Sequence, residues 1–378
     1  LDKKIELPLP EDARVIVVSD IHGELELFKN LLEKVDVGEE DYLIINGDLC
    51  EKGENSKGVV EFVMELEASH PHVYVIEGNC DTLVEDLLEE NPKLMGYLHA
   101  RKHTLIAEWL EEVGFVMDHA TTVQEIKEIL TRHYMDEINW LMELPTLIDT
   151  EDYVFVHAGI ENREDWKETD RLAAITMPSF LDRSHQADKY VIVGHWPVVN
   201  YATHIPSNNP IVDHEKKIIA IDGGNVIKHT GQLNAFIIHR AATGDTFSYT
   251  YVDKFPEYEV ENDFEPDRQM NGALTYPYYE LKRIQEYEHF TLCEQPDTHT
   301  RLLVKNEYIQ QREDGQFQGK TGVSCGQITV ERGDIVSVLD SSCTGYDLVK
   351  KDGVEGWIEK GNLLRLNPYM KNTETMNV

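Results

Sequence analysis

The stretch RVIVVSDIHG at residues 14–23 decides how this chain is read. Its four consecutive apolar residues form a strand buried on both faces, and the polar Ser-Asp-Ile-His-Gly that follows cannot continue it. A carboxylate, Asp20, and an imidazole, His22, therefore leave the carboxyl end of one strand together. The pattern recurs outward along the chain. YLIINGD at 42–48 ends on Asp48, VYVIEGNCD at 73–81 on Asn79, Cys80 and Asp81, YVFVHAG at 153–159 carries His157, and YVIVGHWP at 190–197 carries His195.

Strands are thus expected at Arg14–Ser19, Tyr42–Asn46, Val73–Glu77, Tyr153–His157 and Tyr190–Val193. Between the early ones, Glu24–Lys34 and Val59–Ala68 have apolar residues at helical spacing, which predicts a layered α/β domain. Leu83 to about Leu147 reads helical almost throughout, as an insertion over one edge of the sheet. Later strands at Lys217–Ile221 and Leu233–His239 suggest a second sheet. Residues 1–245 form the expected catalytic domain. The acidic stretch VDKFPEYEVENDFEPDR places a linker and aromatic-rich connection over 246–297. Alternating runs between Gly and Asp turns predict a small β domain over 298–366, and the polar end, 367–378, reads as a disordered tail.

Seventy acidic against 35 basic residues give a formal charge of −35 over 378 residues, which opposes binding of extended nucleic acid. No apolar run reaches the length of a membrane span, and the start LDKKIELPLPEDAR has no secretory apolar stretch, so no membrane partner and a cytoplasmic location are expected. Five cysteines without a CxxC pair argue against a disulfide framework or zinc knuckle.

Phosphoester hydrolysis is commonly solved by two cations about 3.5 to 4 Å apart that clamp the phosphate and activate a water. Such a centre needs carboxylates and imidazoles from several strand ends. A single strand-end Asp is more often a turn residue, and a single strand-end His more often structural. Six such residues in order, most beside Gly, point to metal: Asp20, His22, Asp48, Asn79, His157 and His195.

These loops resemble the metallophosphoesterase superfamily, through SDIHG at 19–23, GDLCEKG at 47–53, GNCD at 78–81, HAG at 157–159 and GHWP at 194–197. The branch that fits best is that of the phosphoprotein phosphatases and their diadenosine tetraphosphatase relatives. The resemblance covers about residues 12–240 and implies a four-layer αββα sandwich. It also implies two metal ions, manganese, iron or zinc: one on Asp20, His22 and Asp48, the other on Asp48, Asn79, His157 and His195. Ile221–Gly224, IDGG, resembles a supporting strand and turn. Two departures stand out. Where the branch has Asp-Arg-Gly, this chain has Glu51, Lys52 and Gly53, so Lys52 replaces a phosphate-gripping arginine without its bidentate fork. Where the branch has Gly-Asn-His, with a histidine that protonates the leaving group, Cys80 stands. Arg171 and Arg183 are candidates for a further phosphate contact, beside Asn79. Glu51 and Asp81 are candidates to support acid–base chemistry with Cys80 and Asp48.

The run from Thr298 to Leu366 resembles bacterial SH3-like domains, which implies a peptide or protein ligand. Trp357 there reads more readily as a core residue than as a ligand-facing aromatic. The expected function is phosphate-ester hydrolysis through a metal-bridging hydroxide, first as a serine/threonine protein phosphatase-like enzyme acting on phosphoproteins. The alternatives are a dinucleoside polyphosphate hydrolase, a phosphodiesterase, or a low-turnover metal-binding protein working through its SH3-like domain.

Overall fold

The computed structural model describes residues 3–267 and 270–365; the tail expected at 367–378 lies outside them. The chain divides into two compact units, one of residues 1–198, 209–227 and 231–253, the other of 199–208, 228–230 and the C-terminal part from 254.

The first unit is a mixed α/β fold. In chain order its strands are β1 (Lys4–Glu6), β2 (Arg14–Val18), β3 (Tyr42–Asn46), β4 (Val73–Ile76), β5 (Leu147–Asp149), β6 (Tyr153–Val156), β7 (Tyr190–Val193), β8 (Ile211–Asp213), β9 (Ile218–Ala220), β10 (Leu233–His239) and β11 (Thr246–Val252). They form two sheets, ordered β11-β10-β2-β3-β4 and β1-β5-β6-β7-β9-β8. The two late strands expected as one second sheet are divided, β9 joining one sheet and β10 the other. Strands β2, β3 and β4 run parallel, as do β6, β7 and β9.

Side chains alternate along each strand, so each apolar run serves two cores. Val15, Val17, Tyr42 and Ile44 meet Ile148, Phe155, Ile192 and Ile219 of the other sheet in one cluster. Ile16, Val18, Leu43 and Ile45 instead pack with the helices α1 (Leu25–Val35) and α2 (Ser56–Ser69). The stretch expected as a helical insertion is helical: α3 (Leu83–Leu88), α4 (Lys93–Ala100), α5 (Leu105–Glu112), α6 (Val123–His133) and α7 (Met135–Glu143). Its Leu87, Ile106, Trp109, Ile126, Leu130 and Ile138 join the core of α1 and α2, so the helices extend one layer.

The expected linker over 246–297 is a correction. Thr246–Val252 is β11, paired with β10 over its whole length. In the second unit β12 (Glu257–Val260) lies in a five-stranded sheet with β13 (Ile335–Asp340), β14 (Tyr346–Lys351), β15 (Val354–Glu359) and β16 (Leu363–Arg365). The sequence EYEV looks like a linker because Glu257 and Glu259 are exposed, while Tyr258 and Val260 pack into the core between them. The boundary at 298 also cuts an antiparallel pair, since Phe290–Glu294 is registered against Arg301–Lys305. Trp357 is fully buried, and its indole N–H donates to Ser324 O at 2.7 Å, which makes it a core residue.

Candidate active site

The parallel strands β2, β3, β4, β6, β7 and β9 all deliver polar residues from their carboxyl ends, the place where ligands collect in open α/β sheets. The loops are held in uncommon backbone conformations. Asp20, His22, Asp48 and His195 have φ of 58°, 50°, 54° and 65°, in the left-handed region that side chains with a Cβ rarely adopt. Such strain persists only where surrounding packing enforces it, and it concentrates at functional sites. The neighbouring glycines permit the crowding: a Cβ at Gly78 would overlap the Asp48 carboxylate, and one at Gly194 the Ser19 hydroxyl and Asp20 carboxylate.

Two groups of donor atoms converge. His22, Asp48 and Cys80 form one; Asp48, His157 and His195 form the other; within each, the donor atoms lie within 4.8 Å of one another. Asp48 belongs to both. Its Oδ1 is 3.3 Å from His157 Nε2 and its Oδ2 3.7 Å from His22 Nε2, while Asp20 Oδ1 is 3.8 Å from His22 Nε2. Asn79 Oδ1 lies 3.3 Å from His157 Nε2. Backbone carbonyls fix the rings: His22 Nδ1 lies 3.2 Å from Cys50 O, and His157 Nδ1 3.0 Å from Asn46 O. Each Nδ1 therefore donates, which turns Nε2 toward the centre. The other oxygen of Asp20 accepts from the Ser19 hydroxyl and the His195 N–H.

Electrostatics distinguish this cluster from an ordinary core. Burial alone would lower the His157 pKa, but Asp48 outweighs it and raises the value to about 10. Asp48 is held well below the usual carboxylate range despite its burial, chiefly by His157. His195 is pushed down to about 4 by burial and by His157. Asp222, after β9, accepts from Gly224 N with one oxygen, while the other is buried with no hydrogen-bond partner. Burial, then the charge of Asp20, raises its pKa well above the carboxylate range. Buried carboxylates and imidazoles that converge on the shared Asp48 make a donor set suited to divalent cations, and N/O ligation fits transition metals. The residues present fit the group.

Lys52 reaches this centre, with Nζ 3.4 Å from His22 Nε2. Burial would lower its pKa, but Cys80, Asp48 and Asp20 outweigh burial and raise it. The other candidates are engaged elsewhere. Arg171, at the start of α8 (Arg171–Thr176), is clamped between the carboxylates of Glu77 and Glu85. Arg183 is exposed and donates to Pro178 O. Asp81 accepts from the N–H groups of Leu49, Cys50 and Gly78, so it ties two site loops together. Glu51 accepts from Tyr97 and from Leu105 N, which anchors its loop to the inserted helices; burial raises its pKa to about 7. The sequence reading missed Ser19 and Asn46 as supports and gave Asp222 no role at the centre. An Asp-Gly after an apolar run, the signal used for Asp48 in reverse order, was available for Asp222.

Residues 13–222, more than half the chain, match the model of the calcineurin-like phosphoesterase family. The chain belongs to that family and is a metal-dependent phosphoester hydrolase. No curated protein matches it. Among solved structures it is similar to a protein described as a diadenosine tetraphosphatase, with 19% identity, 67% of this chain and 99% of the other covered, and a TM-score of 0.45. It is also similar to a serine/threonine protein phosphatase from Saccharomyces cerevisiae, with 13% identity, 67% and 84% covered, and a TM-score of 0.43. A third is a cold-active protein-tyrosine phosphatase of a Shewanella species, with 15% identity, 65% and 82% covered, and a TM-score of 0.40.

Proposed function

We propose that this enzyme hydrolyses phosphorus–oxygen bonds whose leaving group is already acidic, such as a phosphoanhydride of a dinucleoside polyphosphate or an activated phosphodiester. The observation that carries this reading is the side chain after Asn79, a cysteine where a proton donor to the leaving oxygen would stand. The inward imidazoles of His22, His157 and His195 belong to the donor set, and Asp81 already accepts three backbone N–H groups. An alkoxide leaving group needs a positioned acid, commonly worth about a hundredfold to ten-thousandfold, whereas a phosphate or phenolate does not.

Asp20, His22 and Asp48 would hold one cation and Asp48, Asn79, His157 and His195 the other; bound there, the pair supplies Lewis acidity and an acidified water. The chain's own residues do the rest. Asp48 spans both positions, Ser19 and His195 N–H orient Asp20, and backbone carbonyls keep Nε2 of His22 and His157 inward. Lys52 brings a positive charge to the phosphoryl oxygens as a point charge. We read the first unit as a four-layer αββα sandwich, on its two sheets and the helices packed with β2 and β3, and part of the second as SH3-like.

The second reading is a serine/threonine protein phosphatase, favoured by the ordered motifs from GDLCEKG to GHWP. The test is kcat/KM with added manganese across aryl phosphates of graded leaving-group pKa, their bis esters, a dinucleoside polyphosphate and phosphoserine peptides. A steep loss of rate with rising leaving-group pKa is expected. A flat dependence with fast phosphopeptide turnover would establish the phosphatase instead, and no turnover on any substrate would leave a metal-binding protein.

A further inference from the structure

The proposal above leaves the sulfur of Cys80 unused. Its position is fixed from both sides: the Cys80 N–H donates to Asp48 Oδ1 at 2.8 Å, and Asn79 Nδ2 donates to the sulfur at 3.5 Å. Cys80 is the second residue of the 3-10 turn Asn79–Thr82, and its Sγ converges with donor atoms of His22 and Asp48 within 4.8 Å. A shared cation, with metal–ligand distances of about 2.0 to 2.3 Å, sets its ligands roughly 3 to 4.6 Å apart, so donors already within 4.8 Å need little closing to share one. His22 is locked with Nε2 inward by the Cys50 carbonyl, independently of Cys80. The remaining cysteines, Cys50, Cys293, Cys325 and Cys343, are buried and belong to no metal-capable group among the described residues.

We propose that Cys80 is a thiolate ligand of the cation held by His22 and Asp48. The two positions sharing Asp48 are then unlike: the Cys80 side is an N/O/S set, the His157–His195 side an N/O set. On binding, the S–H bond breaks, the proton passes to solvent and a sulfur–metal bond forms, with no change of oxidation state. Sulfur favours zinc or ferrous iron over manganese at that position. The residue that elsewhere would serve the leaving group serves the metal here. This inference rests on the two-cation reading of the centre.

Cobalt(II) loading of the full chain tests it. The expected result is two cobalt ions per chain, with a near-ultraviolet thiolate-to-cobalt charge-transfer band that Cys80→Ser abolishes and Cys50→Ser retains. Zinc-over-manganese preference at the first position should fall by about tenfold or more in Cys80→Ser. Zinc X-ray absorption of the unmodified protein gives an answer even if the variant fails to fold: one sulfur scatterer at about 2.3 Å per zinc pair is expected. Two bound ions without sulfur, or a band that survives Cys80→Ser, would overturn the thiolate and leave the two-cation centre standing. Fewer than two ions per chain would overturn the centre itself.

Discussion

Arg171 lies in a fork between Glu77 and Glu85, its Nε donating to Glu77 Oε1 at 2.8 Å and its Nη1 to Glu85 Oε2 at 3.0 Å. Glu77 is almost fully buried, and it is held below the usual carboxylate range, burial opposing and Arg171 prevailing. This arginine is therefore already committed to fixing the β4 loop that carries Asn79. Arg171→Met should lower stability by about 2 kcal/mol, less than a fully buried pair would lose because Arg171 is a third exposed. Its KM should stay within about threefold, whereas Lys52→Met should lower kcat/KM by about a hundredfold. Thermal unfolding and steady-state kinetics on both variants check this, and a selective KM defect in Arg171→Met would return it to the substrate site.

Asp48 is shared by both donor groups, while the amide oxygen of Asn79, its metal-capable atom, faces His157. Asp48→Asn should therefore reduce bound metal from two ions to one or fewer, and Asn79→Ala should weaken one ion while leaving the other. Elemental analysis after loading and desalting separates the two. Equal losses would contradict the bridging position of Asp48.

Glu51 carries a pH dependence of stability. Its carboxyl is 1% exposed and raised from 4.5 to about 7 by burial, so the folded state holds a proton that the unfolded chain releases. The contribution is complete below about 4.5 and is lost as pH rises through about 7, a difference on the order of 3 kcal/mol. Glu51→Gln should flatten this part of the profile. Thermal unfolding of the metal-free protein between pH 5 and 8 measures it, and parallel profiles for the two proteins would refute the assignment.

In the second unit, Lys305 is fully buried and its ammonium donates to Glu307 at 2.6 Å and to His289 O at 3.2 Å. Glu307 is lowered to about 2, burial opposing and Lys305 prevailing, so its contribution is present above about 4.5 and lost as pH falls toward 2. Glu307→Gln leaves the buried ammonium without its anion and should cost about 2 kcal/mol at neutral pH, discounted because Glu307 is about a third exposed. Urea unfolding at pH 7 and pH 3 should show a gap that narrows at the lower pH. A gap of equal size at both would point to lost packing instead.

The sequence by itself determined the apolar runs, their order and the polar residues at their ends, because burial on two faces leaves an unbroken apolar signature and a metal centre must draw on several strand ends. RVIVV, YLIIN, VYVI, YVFV and YVIV are the observed strands to within a residue or two, and the helical insertion was legible from its spacing. The tertiary structure alone decided which charges are free. Arg171 and Arg183 read as available cations until the fold set Glu77 and Glu85 around one and turned the other to solvent. Asp81 and Glu51 read as isolated carboxyls until the fold gave them backbone N–H groups and Tyr97 as partners. The left-handed conformations of Asp20, His22, Asp48 and His195 leave no mark in composition, and neither does the second strand system hidden in the acidic EYEV. Residue type states what a side chain is able to donate or accept. Only the packed chain, by closing distances between residues a hundred positions apart and excluding water between them, states which partner it has already found.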